Sequence, residues 1–217
     1  MVVGHLALGL SAKRATRDTS LVWLLIAPNF VDLLWPIFLL AGLERVRIDP
    51  GNTAFTALAF DYYPWTHSLL MGVVWGVVLG GLARLSGVSR TGAAIVGALV
   101  VSHWGLDFIT HRPDLPLSPW TAGLYGLGLW NSIAATLVVE GLLWIAGMAA
   151  FLSTWRLRGW NGQIAFWSFV VFITLLWASG PFTPPPPDPH TLASMAMFGW
   201  IMVPWAWWIA RTSELRR

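Results

Sequence analysis

Ser102-His103-Trp104-Gly105-Leu106-Asp107-Phe108-Ile109-Thr110-His111-Arg112-Pro113-Asp114 ends an apolar run that begins at residue 92. The run is long enough for a helix that crosses a bilayer, which takes about 20 residues. Its last turns carry two histidines and an aspartate. On a helix His103 and Asp107 stand four apart, as do Asp107 and His111, so each pair shares a face. An imidazole and a carboxylate one turn apart are a common way to offer two ligands to a divalent metal. Arg112-Pro113 turns the chain out of helix, so His111 is expected at the helix end or in the loop.

The composition agrees with a membrane helix. The 217 residues are 56% hydrophobic and 11% charged, with 16 tryptophans and no cysteine. A soluble domain carries about 25% charged residues, so this chain lacks the polar surface that water requires. The absence of cysteine excludes disulfides, thiolate metal ligands and a cysteine nucleophile. The net charge of +3 would suggest nucleic acid in a soluble chain. Here the basic residues sit in short loops, where the positive-inside rule accounts for them without nucleic acid.

The expected fold class is all-α: a polytopic membrane helical bundle of six transmembrane helices plus a short N-terminal half-helix, forming one integral membrane domain over residues 1–217. The half-helix is expected over residues 2–12, dipping into the bundle with its start deep. Full spans are expected over residues 21–43, 68–83, 92–110, about 129–152, 162–179 and 191–210. The first is expected to be kinked or broken by Pro28 and Pro36, which requires protein or a cavity to cover the freed backbone. The glycines of the second permit close helix contact. Residues 44–66 and 111–128 are expected as irregular connections, and Pro181 to His190 as a stiff polyproline spacer. All lysines and arginines except Arg45, Arg47 and Arg112 then fall on one side. That sorting predicts a multi-pass protein of the inner or plasma membrane with both termini cytoplasmic.

The polar groups sort the other way. With a rise of about 1.5 Å per residue, His5, Asp32, His67, His103 and Glu140 lie roughly 12–25 Å above the basic ends of their segments. Five segments thus deliver ligand-type side chains to the middle and outer half of the membrane, where uncompensated charge is costly and ionisable groups are functional by default. Asp32, His67, His103 and Asp107 are expected as metal ligands, with His5 and His111 as further metal candidates. Glu140, mid-span with no nearby cation in sequence, is a candidate general base. Arg112 is a candidate anion contact, able to pair with Asp114 or with a substrate phosphate. Asn29 and Asp114 are candidate substrate contacts, and Asn29 could equally be a further ligand or a supporting partner behind the ligands.

In order, Gly4-His5-Leu6-Ala7, Pro28-Asn29-x-x-Asp32, Thr66-His67-Ser68-Leu69 and His103-x3-Asp107-x3-His111 resemble the motifs of the bacterial membrane-bound metal-dependent hydrolase family. The resemblance covers about the first 115 residues. Asn29 stands where that family usually has an acid, so one potential ligand is neutral here. The order is also similar to that of the zinc-dependent phospholipase C and single-strand nuclease superfamily. That likeness implies that Asp32, His67, His103 and Asp107 hold one metal, that His5 binds a second bridged by Asp107, and that His111 and Glu140 belong to a third.

The resulting expectation is a membrane-embedded metal-dependent hydrolase acting on a phosphoester or lipid-linked substrate at the outer leaflet. Its cofactor would be a divalent metal, zinc ahead of manganese or magnesium, and its partner membrane lipid or a lipid-linked substrate. The rival expectations are an ion- or proton-coupled transporter, which would also use a broken span and midplane acids, and a catalytically degenerate lipid-binding protein.

Overall fold

Pro28 shapes the first long helix. Its ring nitrogen has no hydrogen to give the Leu24 carbonyl, so the helical ladder fails at that point. In the computed structural model, which describes residues 1–216, the chain tightens there into a 3-10 turn, Ala27–Asn29. This turn joins α2 (Leu21–Ile26) to α3 (Phe30–Leu40). The Asn29 amide donates to the Leu25 carbonyl at 2.9 Å, so the break keeps a side-chain bond in place of a regular turn. Gly9 of α1 (Val3–Ala15) lies against Leu24 O so closely that a Cβ there would clash with it. A glycine is what lets α1 lie across the broken helix.

The remaining long elements follow the hydrophobic runs. They are α5 (Leu69–Leu85), α6 (Arg90–Thr110), α7 (Ile133–Thr154), α8 (Gly159–Ser179, continued by a 3-10 turn to Phe182), α9 (Pro189–Ala196) and α10 (Met202–Arg211). Side chains of Ser68, Ser89, Ser132 and Asp188 cap α5, α6, α7 and α9 by accepting a backbone N–H of the first turn. Each such cap is worth about 1 kcal/mol. A 3-10 stretch, Met197–Ile201, separates α9 from α10. Pro204 falls in the first turn of α10, where a missing N–H costs least.

The chain is 68% helical. Among the described residues, five helices are long and apolar enough to cross a membrane: Leu21–Leu40, Arg90–Thr110, Ile133–Thr154, Gly159–Phe182 and Pro189–Arg211. The sixth expected span, Leu69–Leu85, is shorter, at 17 residues. Its neighbour, the single turn α4 (Pro64–His67), is set off by Ser68, whose ψ of 151° is extended. Val77, Leu142, Leu175 and their neighbours leave large apolar side chains exposed over α5, α7 and α8. A surface of this kind suits solvation by lipid and would be an aggregation hazard in water.

The connections hold more order than their sequence suggests. Within residues 44–66, β1 (Arg45–Ile48) and β2 (Leu58–Tyr62) form an antiparallel hairpin. Within 111–128, β3 (Leu115–Pro116) pairs with β4 (Leu124–Tyr125). At the basic end β5 (Trp155–Leu157) pairs with β6 (Ser213–Leu215), with Arg156 and Glu214 bonded across it at 2.6 Å. These ribbons qualify the all-α expectation without altering the helical architecture.

Residues 13–19, 89–92, 155–158 and 212–216 gather at that one end. Lys13 Nζ stands 4.2 Å from the centre of the Trp155 ring and donates to the Arg17 and Thr19 carbonyls. Met1 does not join them. α1 carries it away from Lys13 into the interior, in line with a short N-terminal helix whose start lies deep.

The main core packs α1 against α7, α8 and α10 through Leu6, Leu10, Phe151, Phe166, Phe169 and Ile209. α5 and α6 meet through small residues. A Cβ on Gly76 would come within 2.7 Å of Gly97 O, and one on Gly80 within 2.8 Å of Ala93 O. Gly72, on the same helix, faces open space. We therefore expect Gly76→Val to lower stability by about 1–3 kcal/mol through overpacking. Gly72→Ala should be neutral or slightly stabilising, since alanine is the better helix former. Thermal unfolding of the detergent-solubilised variants reads the difference, and equal midpoints would contradict the close α5–α6 seam.

Candidate metal centre

The site is assembled around a carboxylate that the fold withdraws from solvent. Asp107 of α6 is 2% exposed. Its Oδ1 accepts from the Met1 α-amine at 2.5 Å and lies 3.0 Å from His5 Nε2 of α1. Its Oδ2 lies 2.9 Å from His103 Nε2, one turn back on α6, and 3.6 Å from His111 Nε2. Asp32, in the first turn of α3, sits beside the same group. Its Oδ1 is 3.2 Å from His67 Nε2 and 3.7 Å from His103 Nε2. The His5 and His103 rings stack at 3.9 Å, and His67 meets His103 edge-on at 5.1 Å. All six expected metal ligands therefore converge, from α1, α3, α4, α6 and the residue that ends α6.

Two sets of these atoms lie close enough together to hold an ion: Asp32, His67 and His103, and His5, His103 and Asp107. The outer nitrogens decide how they are presented. His103 Nδ1 is 2.8 Å from Pro28 O, which can only accept, so that nitrogen carries the proton. The 3-10 turn thus turns the Pro28 carbonyl to use. His111 Nδ1 is 2.9 Å from Asp114 Oδ1. His67 Nδ1 is 2.7 Å from Thr66 Oγ1. The Nε2 of His67 faces Asp32, that of His111 faces Asp107, and that of His103 faces both. An imidazole with Nδ1 bonded outward and Nε2 presented inward is the arrangement of a metal-binding histidine.

His103 Nε2 gives the sharpest test of fit. It is buried and has no hydrogen-bond partner, although Asp107 Oδ2 is only 2.9 Å away. The two atoms are close without a hydrogen bond between them, since with Nδ1 protonated this Nε2 offers a lone pair to a carboxylate that can only accept. Ligand atoms that converge on a shared third point meet in this way, and the donor set of imidazoles and carboxylates suits a divalent ion.

Behind His67 stands a group that motif reading missed. Glu44, 2% exposed, accepts from Thr66 N and from Thr66 Oγ1, each at 2.8 Å. With Glu44 ionised, the one hydroxyl proton of Thr66 goes to the carboxylate. Thr66 Oγ1 then accepts from His67 Nδ1–H, leaving the His67 Nε2 lone pair free. Burial is the largest influence and leaves the Glu44 pKa raised, against the downward pull of the nearby His67 and the bonds from Thr66. The pairing joins residues 22 apart across the β1–β2 hairpin, so no local periodicity reveals it. Tyr63 is a second such group, donating to Asp114 Oδ1 at 2.8 Å. Ser68 caps α5, and Thr66 is committed to Glu44.

Of the four other expected site residues, three take different places and Asn29 keeps its own. Asp114 is 6% exposed, and its Oδ1 is occupied by Tyr63 and His111. It holds His111 in place, so its carboxylate is not turned to a substrate. Arg112 lies outside the cavity with its Nε 3.6 Å from Asp114 Oδ2, and so takes the internal partner. Glu140 is fully buried behind α1, where its Oε2 accepts from Val2 N at 2.9 Å and Oε1 has no partner. It does not line the cavity, and this placement fits an anchor for the start of α1 better than a general base. Asn29 does line the cavity, beside Asp32, with its amide nitrogen held by Leu25 O.

The cavity measures about 280 Å³, with Asn29, Asp32, His67, Asp107 and His111 at its polar end and Trp35 and Phe60 among its apolar walls. The Asp32 side chain is 44% exposed, so this carboxylate meets incoming solvent or ligand while Asp107 does not.

Removing an outer partner of a metal-binding histidine typically weakens metal affinity by about 10–100-fold. Glu44→Gln and Thr66→Val should each weaken divalent-ion binding by about that factor. A chelator competition on the purified variants measures it. Wild-type affinity in both would remove Glu44 and Thr66 from the site.

No protein-family model, no curated protein and no solved structure matches the chain, so the reading of this site rests on its own geometry.

Proposed function

We propose that the chain is a membrane-embedded, metal-dependent hydrolase that cleaves a phosphoester in a lipid-linked substrate. The observation that carries this reading is the set of three imidazoles, His67, His103 and His111, with Nδ1 bonded outward and Nε2 turned toward Asp32 and Asp107. Asp32, His67 and His103 would hold one ion, with zinc preferred because imidazole ligands predominate. Asp107, with one oxygen toward His103 and the other toward His5, is placed to bridge to a second position. Held by these residues, a divalent ion would supply Lewis-acid chemistry, with polarisation of a phosphoryl or acyl oxygen and a more acidic water.

The chain's own residues prepare that chemistry. Pro28 O, Asp114 and the Glu44–Thr66 pair fix the orientation of His103, His111 and His67. Asn29 adds a neutral polar group on the cavity wall beside Asp32, where a substrate oxygen can be met without adding charge. The apolar walls at Trp35 and Phe60 limit water around the polar end, and this strengthens every electrostatic contact inside.

On this reading six helices span the inner or plasma membrane. Leu69–Leu85 counts as the sixth, at roughly 25 Å from about 1.5 Å per residue, with α4 adding to its reach. The gathered basic end faces the cytoplasm by the positive-inside rule, and the cavity belongs to the outer half of the bilayer. The resemblance of the ordered residues to the motifs of the membrane-bound metal-dependent hydrolases is in keeping with the same reading.

Elemental analysis of purified protein should find a divalent metal that chelation removes. Asp32→Ala and His103→Ala should each lower its occupancy by more than the roughly 10–100-fold expected of an outer partner. Both should abolish hydrolysis of a long-chain alkyl nitrophenyl phosphate. Unchanged metal stoichiometry in both variants would refute the ligand assignment.

A further inference from the structure

Beside the polar cavity lies a larger one that the site's chemistry does not use. It measures about 480 Å³ and runs between the turn of the β1–β2 hairpin, residues 50–57, and the polyproline segment at 181–186. It adjoins the polar cavity directly: Val2, Leu58, Phe60 and Trp130 line both. Among the described residues, no acid, base or histidine contributes to its walls, which are mostly aliphatic, aromatic and prolyl.

Three features say what would occupy it. An uncharged, largely apolar groove gives no partner to a phosphate or a carboxylate, and apolar cavities take apolar guests. One rim is Leu176, itself 58% exposed, on the face of α8 that also exposes Phe172 and Leu175. The groove therefore opens sideways onto the surface that lipid would cover. Its far wall is stiff, because each proline of 184–186 has a fixed φ, so it resists collapse when empty. A volume of this size suits one guest of small-molecule dimensions rather than an entire two-chain lipid.

We propose that this groove is the channel for one hydrocarbon chain of the substrate. The chain enters laterally from the bilayer beside Leu176 and sets its polar head against Asp32 and His67 in the adjoining cavity. The identity of the head rests on the hydrolase reading above, whereas the chain channel rests on the shared walls, the uncharged lining and the lateral opening. The arrangement assigns chain selection to the 50–57 turn and the polyproline segment, and bond cleavage to the metal centre.

Photolabelling tests this without turnover. Full-length protein in phosphatidylcholine nanodiscs is mixed with a long-chain alkylphosphonate carrying a diazirine near its tail end, irradiated, and mapped by peptide mass spectrometry. Labels are expected in 53–58 and 176–186 above the level on outward positions such as Val77 and Leu142. Ala57→Trp, which fills the groove, should remove the groove labels and leave those at Val77 and Leu142. Ala54→Trp, at an exposed position of the same turn, serves if Ala57→Trp does not fold. Groove peptides labelled no more than the Val77 and Leu142 faces, or labelled equally after either tryptophan, would overturn the proposal. Metal content measured on the same discs separates the two readings. Groove labelling in protein that binds no metal would keep the chain channel and remove the hydrolase. Bound metal with an unlabelled groove would do the reverse.

Discussion

A carboxylate inside an apolar bundle must be matched by positive charge or by donors, and in this protein that demand falls on Asp107. Transfer of an ion into a protein interior costs several kcal/mol even after the surroundings relax. Asp107 is met directly by the Met1 amine and His5 Nε2 of α1, while His103 and His111, on its own helix and at the residue that ends it, turn Nε2 toward its other oxygen. Those partners cannot be reached by straight helices packed side by side. α1 has to enter the interior, which needs Gly9 against the broken α2–α3 helix and a tight seat for Ala7 on Gly147 of α7. The packing of the first half of the chain is therefore organised by the solvation of one side chain.

The interruptions in the helices serve the same end. Pro28 costs the ladder a bond, yet its carbonyl is the acceptor that orients His103. The extended residue Ser68 separates α4 from α5, leaving His67 on a short turn instead of on the flank of a long helix. His111, with ψ of 149°, ends α6 and turns its ring to Asp114. A regular bundle would be more stable by its own hydrogen bonds and would not gather these groups. Backbone irregularity inside a membrane protein is tolerated where protein or a cavity covers it, and here the cavity it borders is the candidate site.

Much of this was legible in the sequence because intramembrane polarity is rare. Against long apolar runs, His5, Asp32, His67, His103 and Asp107 stand out individually, and helical rise is enough to place them at a common depth. Prolines and glycines foretold the break at Pro28 and the α5–α6 seam. The rest depends on contacts between distant residues. Glu44 lies in a polar connection where an acid attracts no notice, and only the folding of the β1–β2 hairpin brings it under Thr66. Glu140 and Asp114 were conspicuous for their charge, but charge does not reveal direction. One is spent on a backbone N–H of α1 and the other on a histidine. For Arg112 the sequence leaves two anions open, Asp114 and a substrate group, and the fold sets its Nε 3.6 Å from Asp114 Oδ2.

Asn29 acquires a physical meaning from the charges around it. On the proposed reading, Asp32 and Asp107 are the carboxylates that face the imidazoles, and a single divalent ion balances both while the histidines stay neutral. The Met1 amine, against Asp107, has its counterpart in Glu140, which bonds the next residue's N–H. A third acid at position 29 would leave a surplus negative charge in a largely buried pocket, unless a second cation came with it. An amide keeps the polar contact and omits the charge, and its nitrogen is already committed to Leu25 O, so the oxygen is the atom left for the cavity. The substitution that sets this chain apart from the motif it resembles is thus consistent with a site balanced for one ion. Asp107 then holds the Met1 amine and His5 on Oδ1, and its Oδ2 is the atom left to share that ion with His103.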